Sequence, residues 1–114
     1  MQKNDIIPVA YCPLIRAGQE DRSAPKGVFE LDLFKELSEK YSKTIGQVVL
    51  NWGIQRGHAI IPKSSKKERL IENLHSASFT LDPEDVEKIT ALDQSYRCCP
   101  SPKYFFTLHY DVFA

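Results

Sequence analysis

The chain has 114 residues, 42% of them hydrophobic, which is enough for one domain with a modest core. Lys and Arg number 15 and Asp and Glu number 15, so the formal net charge is zero and nucleic acid is not expected as a partner. No apolar run has the length of a signal peptide or a membrane span, so we expect a cytoplasmic protein with no membrane partner.

The cysteines and histidines give no sign of a disulfide or metal site. Cys12, Cys98 and Cys99 lack the spacing of a disulfide framework or a zinc site, and the histidines are far apart. We therefore predict free thiols and no metal. A redox role for the adjacent pair Cys98–Cys99 is the alternative.

The first predicted element is a buried strand at Ile6–Tyr11, an apolar run rich in β-branched residues that ends before Pro13. From Leu14 to Val28, glycine and proline break any periodicity, so we expect a long loop. A loop of that length is either a functional lid or a disordered segment, and both readings stay open.

Two helices are predicted next. Residues 30–41 carry apolar side chains at intervals of three and four, the pattern of an amphipathic helix. Thr44 and Gln47 have the spacing of a capping box, in which each side chain satisfies the backbone N–H of the other residue. The helix that begins there is expected to end at Gly57.

A second buried strand is predicted at His58–Pro62, and a third helix follows it. Ser65 and Glu68 have the spacing of another capping box at its start. Three apolar residues of this helix are expected to face inward: Leu70, Ile71 and Leu74.

Asp82 and Pro83 predict the start of the last helix, with Asp82 as its cap and Pro83 at the first position, where no N–H is required. Its expected core stripe consists of Val86, Ile89 and Leu92. The composition then becomes aromatic and irregular, and we assign residues 98–114 to a C-terminal tail.

Strands separated by helices predict parallel pairing and the α/β class. Two strands cannot form a stable parallel sheet alone, because such a sheet is normally paired at its edges and covered on both faces. The pattern therefore indicates that these strands and helices are the end of a larger structure.

The most informative segment is Ile60–Asn73, where a strand end leads into a helix start surrounded by basic residues. Free N–H groups and the positive end of the helix dipole attract phosphate, and Lys63 and Arg69 can add charge. From the residues alone, a phosphate site and a solvated basic helix start are equally acceptable interpretations.

The same segment resembles a known family. Ile61-Pro-Lys-Ser64, with an arginine six residues after the lysine and then Glu-Asn, is similar to the adenosine-phosphate-binding segment of the aldo-keto reductases. Val9-Ala-Tyr-Cys-Pro-Leu14 resembles the end of that family's seventh strand. Further matches extend the likeness over residues 6–97, and the segment is most like the fungal xylose reductase type of aldose reductase.

The resemblance implies an α/β fold that is the C-terminal part of a (β/α)8 TIM barrel, namely its last two strands with their helices. It also implies NADPH as the cofactor. Lys63, Ser64 and Arg69 would hold the 2′-phosphate of NADPH, and Glu72 and Asn73 would lie near the adenine.

The resemblance further implies that Tyr11 stacks on the nicotinamide, and it places Leu14 and Ser65 among the cofactor-binding residues. Without the resemblance, a tyrosine in a strand would more simply be a core residue.

The chain also departs from the family pattern. Cys12 replaces the serine that follows the family's aromatic residue, and Ile15-Arg16 replaces a Gly-Ser that contacts the pyrophosphate. Arg97–Pro102 lacks the asparagine that sugar reductases carry for substrate contact, so the resemblance does not imply xylose as the substrate.

The family's catalytic tyrosine, lysine, aspartate and histidine lie on its first four strands, and no tyrosine here has the required context. We therefore expect residues 1–114 to be a partial oxidoreductase domain without catalytic residues of its own. It would serve the reduction of a small aldehyde or ketone to an alcohol. A non-catalytic nucleotide-binding or interaction module, an inactive truncated product and one part of a split barrel are the alternatives.

Overall fold

The computed structural model describes residues 5–14 and 27–93. The elements in chain order are β1 (Val9–Ala10), α1 (Asp32–Tyr41), α2 (Ile45–Gln55), β2 (Ala59–Ile60), α3 (Lys67–Leu74), a 3₁₀ turn (His75–Ala77) and α4 (Pro83–Thr90). The predictions for Ile15-Arg16, for the rest of the long loop, for Arg97–Pro102 and for the tail at 98–114 lie outside the described residues. Within the described ranges, no helix is long and apolar enough to cross a membrane.

The two strands pair in parallel, as predicted, with Val9 opposite Ala59 and Ala10 opposite Ile60. They are only two residues long, however, and the prediction that both are buried is wrong. Val9 is 59% exposed and Ile61, just after β2, is 55% exposed. The reason is that the described residues supply no third strand and no element that covers the outer face of this sheet.

Helix α1 presents Phe34 and Leu37 to the core and ends at Tyr41; its C-cap residue, Ser42, has a φ of 51°, in the left-handed region. The capping box that opens α2 is confirmed. The Thr44 hydroxyl accepts a hydrogen bond from the Gln47 N–H at 3.2 Å, and the Gln47 side-chain oxygen accepts one from the Thr44 N–H at 3.1 Å. The turn after α2 uses Gly57 with a φ of 78°, which agrees with the predicted stop.

The core lies where α1, α2 and α4 meet the extended segment before α4. Its buried apolar residues are Phe34, Leu37, Val48, Val49, Leu81 and Ile89. Helix α2 also approaches β2 closely through Gly53, where an added Cβ would lie 3.4 Å from the Ile60 side chain. Helix α2 therefore packs against the core and also against β2.

Helix α3 has no buried residue. The prediction that its apolar residues face inward is wrong, because Leu70 is 50% exposed, Ile71 47% and Leu74 76%. The helical spacing is present, but no described element covers that face.

The predicted capping box at Ser65 is also wrong, because α3 begins at Lys67, its N-cap is Lys66, and no side chain caps it. Instead, Ser64 closes the preceding turn, where its hydroxyl accepts a hydrogen bond from the Lys66 N–H at 3.2 Å.

Helix α4 begins as predicted, with Asp82 at the N-cap position and Pro83 in the first turn, but the Asp82 side chain does not cap the helix. It binds the Lys40 ammonium at 2.7 Å instead. Of the predicted stripe, Ile89 is buried, while Val86 and Leu92 are partly buried against the core. Side-chain bonds between α1 and α4 thus take the place of the expected cap.

Candidate functional site

The candidate site begins at the carboxyl end of β2, where the chain passes through Lys63, Ser64 and Ser65 into α3. The side chains of Lys63 and Arg69 are exposed, and neither takes part in an ion pair with any described residue. Lys66 and Lys67 are exposed in the same turn. The segment therefore presents an excess of positive charge at the start of α3.

The start of α3 is open to a ligand. The first turn of a helix has N–H groups without intrahelical partners, and here no side chain caps them. The first-turn carboxylate of Glu68 is favourable for the helix dipole but does not bond these groups. Free amides, a dipole and flexible cations together form an arrangement that can hold a phosphate group.

Glu72 and Asn73 lie in the last turn of α3, and both are half-buried. Their carbonyl oxygens join α3 to its surroundings: Glu72 accepts a hydrogen bond from the Gln47 side chain at 3.0 Å, and Asn73 accepts one from the Ser76 hydroxyl at 2.6 Å. Along the segment 63–73, the basic residues Lys63 to Arg69 therefore come first, and Glu72 and Asn73 lie at its end.

Tyr11 directly follows β1, and its side chain is 70% exposed, so the interpretation of Tyr11 as a core residue is wrong for the described chain. Because β1 and β2 are parallel neighbours, Tyr11 and Lys63 leave the same edge of the sheet. The next residue, Cys12, has a φ of 52° and turns the chain away. Leu14, in contrast to Tyr11, is half-buried and packs against the core.

Sequence reasoning identified Gln47 only as part of the capping box and missed that it belongs to a set of carboxamides on α2. Gln47, Asn51 and Gln55 are spaced four residues apart, and each donates a side-chain hydrogen bond to a backbone carbonyl of the segment 72–81. Two of the three are buried, at 8% for Gln47 and 2% for Asn51. Amides repeated at helical spacing within an apolar helix are the signal that could have revealed them.

The strongest electrostatic shifts lie away from the basic segment, between α1 and α4. The Asp85 carboxylate is 2% exposed and accepts hydrogen bonds from Lys40 and Tyr41 at 2.6 Å each and from Lys88 at 3.1 Å. These donors, Lys40 foremost, lower the pKa of Asp85 to about 2. Burial raises the pKa of Tyr41. Because it ties two helices together, we interpret this cluster as structural.

Comparison with known proteins places these features in a family. Residues 1–94 match the profile of the aldo/keto reductase family. The chain is 38% identical over 96 residues to an NADP-dependent D-sorbitol-6-phosphate dehydrogenase of Malus domestica, covering 83% of this chain and 31% of that protein. It is 34% identical over 119 residues to an NAD(P)H-dependent D-xylose reductase of Hypocrea jecorina, covering 92% of this chain and 37% of that protein.

A solved structure agrees with the sequence matches. The aldo-keto reductase of the silkworm, Bombyx mori, in complex with NADPH superimposes with a TM-score of 0.75 at 32% identity, covering 86% of this chain and 31% of that one. The chain thus spans about a third of the length of the proteins that it matches. On this evidence, the chain belongs to the aldo/keto reductase family.

Proposed function

We propose that this chain is the NADPH-binding C-terminal part of an aldo-keto reductase barrel, in which Lys63, Ser64 and Arg69 hold the 2′-phosphate of the cofactor. The observation that carries the proposal is that Lys63 and Arg69 are exposed, have no ion-pair partner among the described residues, and lie beside a start of α3 that no described side chain caps. The NADPH complex of the silkworm relative and the NADP-dependent relatives support it.

The chemistry of these residues fits a phosphate monoester. Arg69 can form two parallel hydrogen bonds to phosphate oxygens, Lys63 supplies a point charge, and the free amides of α3 add donors without a side-chain entropy cost. NADH carries a hydroxyl group at the 2′ position and would gain little from this charge. The segment is therefore suited to select NADPH, and we place the adenine near Glu72 and Asn73.

At the other end of the cofactor, Tyr11 would stack on the nicotinamide, because its exposed ring leaves the carboxyl edge of the sheet where TIM-barrel enzymes keep their active sites. Bound NADPH supplies the hydride of the reaction. Leu14 packs behind this region, and Ser65 lies in the phosphate turn.

We further propose that the whole enzyme is cytoplasmic and reduces a small aldehyde or ketone to an alcohol. Hydride transfer to a carbonyl needs an acid that protonates the developing alkoxide. The catalytic tyrosine, lysine, aspartate and histidine of the family would come from the part of the barrel outside the matched third. This chain would supply the cofactor anchor and no catalytic group.

The experiment is a fluorescence titration of NADPH and NADH against wild-type protein, Arg69→Ala and Arg56→Ala. Arg56 is the matched control, since it lies 4.8 Å from the Trp52 ring at the end of α2 and outside the segment 63–73. Arg69→Ala should weaken NADPH about tenfold or more and NADH by less than about twofold, the range expected for a charged hydrogen bond to phosphate. Equal losses for both cofactors would exclude the 2′-phosphate assignment.

A second candidate is a non-catalytic nucleotide-binding module, which is favoured by the closed apolar core of α1, α2 and α4. A cooperative melt of the isolated chain together with salt-dependent NADPH binding would support it. Aggregation of the isolated chain would support dependence on the rest of a barrel.

A further inference from the structure

The three carboxamides of α2 form a ladder against the segment 72–81. Gln47 donates to the Glu72 carbonyl at 3.0 Å, and Asn51 donates to the carbonyls of Ser76 at 2.8 Å and Phe79 at 2.6 Å. Gln55 donates to the Leu81 carbonyl at 3.2 Å and accepts from the Leu81 N–H at 2.9 Å. All five bonds join a carboxamide side chain of α2 to a backbone group of residues 72–81. They therefore restrain the backbone of that segment independently of its side chains.

Helix α3 depends on this ladder more than its neighbours do. Phe34 and Leu37 anchor α1 in the core and Ile89 anchors α4, whereas no residue of α3 is buried. With little apolar burial available, directed hydrogen bonds become the main restraint on the position of a helix. Of the five bonds, the one from Gln47 to Glu72 is the one that ends on a residue of α3.

The orientation of the Gln47 amide is fixed by the capping box. Its oxygen accepts from the Thr44 N–H at 3.1 Å, so the side-chain NH₂ must point to the Glu72 carbonyl, which can only accept. One side chain thus joins the start of α2 to the last turn of α3. Because Glu72 and Arg69 are three residues apart on α3, a shift at this rung moves the helix that carries Arg69.

We infer that Gln47 is a positioning residue for the cofactor: it holds α3 so that Arg69 and the free amides of the first turn meet the 2′-phosphate. The inference rests on the proposed function. Gln47 does not touch the cofactor in this account; it acts through the backbone of α3. Gln55, at the other end of the ladder, holds Leu81 in the core and has no such role.

Two substitutions that each remove one hydrogen-bond donor test this role, one at the buried Gln47 and one at the exposed Gln55. Gln47→Glu keeps the oxygen that accepts from Thr44 N–H and loses the donor to Glu72. Gln55→Glu keeps the oxygen that accepts from Leu81 N–H and loses the donor to the Leu81 carbonyl. Both add one negative charge to α2. Gln47→Leu, which is uncharged, separates the loss of the donor from the added charge.

The measurements are titrations of the 114-residue chain with 2′,5′-ADP and with 5′-AMP, together with hydrogen exchange of α3. In Gln47→Glu and Gln47→Leu, the preference for 2′,5′-ADP over 5′-AMP should fall about tenfold and α3 amides should exchange about tenfold faster, as expected for one lost hydrogen bond. Gln55→Glu should change the preference less than about twofold, even where it lowers the urea midpoint.

An equal fall in preference for the Gln47 and Gln55 variants would overturn the positioning role, and so would an unchanged preference in Gln47→Leu. A wild-type chain that binds 2′,5′-ADP and 5′-AMP equally would instead refute the proposed 2′-phosphate site, and the positioning role with it. A wild-type chain that prefers 2′,5′-ADP while the Gln47 variants prefer it equally would refute the positioning role alone.

Discussion

The molecule has two regions that differ in how their apolar residues are used. The helical region, α1, α2 and α4, buries its apolar stripes in a common core. The strand region, β1, β2 and α3, leaves its apolar residues open to solvent, with Tyr11 at 70% and Leu74 at 76% exposure. Seven of the eight candidate cofactor residues lie on or beside the elements of the strand region; Leu14 packs against the core.

This difference indicates that stability and the proposed function belong to different parts of the chain. A helical region can complete its core with local neighbours, whereas a parallel sheet needs partners on both edges and both faces. The strand region has the apolar composition of a covered sheet, but no described element covers it, as expected for one part of a barrel. Variants in each region should therefore affect different measurements.

Substitutions of a buried and an exposed leucine should differ most in their effect on the free energy of unfolding. Leu50 on α2 is fully buried, so Leu50→Ala should lower the free energy of unfolding by about 3 kcal/mol through lost burial and a residual cavity. Leu74→Ala removes a side chain that is 76% exposed and should change it by less than about 0.5 kcal/mol. Urea unfolding followed by circular dichroism measures both, and similar losses would contradict the division into two regions.

The next effect is the pH dependence of the helical region. The pKa of Asp85 is lowered from 3.8 to about 2 in the folded protein, chiefly by Lys40. A carboxyl with a lowered folded pKa stabilises the protein above its unfolded pKa, and that contribution is lost as the pH falls from about 4 to about 2. Asp85→Asn should therefore cost about 1–2 kcal/mol at pH 7, allowing for screening at the half-exposed lysines, and much less at pH 2.

Asp82→Asn is the control for this prediction. Asp82 also binds Lys40, at 2.7 Å, but its side chain is 62% exposed. Asp82→Asn should therefore lower the free energy of unfolding only slightly at every pH. Unfolding midpoints measured between pH 2 and pH 7 compare the two variants. If Asp85→Asn keeps the same acid sensitivity as wild type, the cluster between α1 and α4 is not the source of that sensitivity.

The smallest effect concerns the two helix starts. Thr44→Ala removes an observed capping bond and should cost about 1 kcal/mol, because a free N–H of α2 loses its partner. Ser65→Ala should cost less than about 0.5 kcal/mol, because Ser65 does not cap α3. Thermal melts of both variants provide the comparison. A larger loss of stability for Ser65→Ala than for Thr44→Ala would support the cap at Ser65 that the sequence predicts.

The sequence was a reliable guide where a local pattern decides the structure. The box of Thr44 and Gln47, the stop at Gly57 and the proline start of α4 depend on neighbouring residues only, and the structure has all three. The parallel pairing followed from strands separated by helices. Motif spacing alone singles out the segment Ile60–Asn73 as a candidate phosphate site.

The sequence was a poor guide where distant parts of the chain decide. Periodicity showed that Leu70 and Leu74 share a face with Ile71, but not that the described chain leaves this face uncovered. It could not show that Ser64, rather than Ser65, closes the turn before α3, because both residues suit that position. The spacing of the carboxamides on α2 is visible in the sequence, but their hydrogen bonds are not, because the partners are backbone carbonyls 25 to 28 residues away.

In the proposed function, the segment 63–73 anchors the 2′-phosphate of NADPH. The most direct measurement is hydrogen exchange of the wild-type chain, alone and with saturating NADPH or NADH. We expect NADPH to slow exchange at the first-turn amides of α3, Lys67–Arg69, far more than NADH does, while exchange in helix α2 is unchanged. Protection that is equal for the two cofactors, or that appears elsewhere and not in α3, would contradict it.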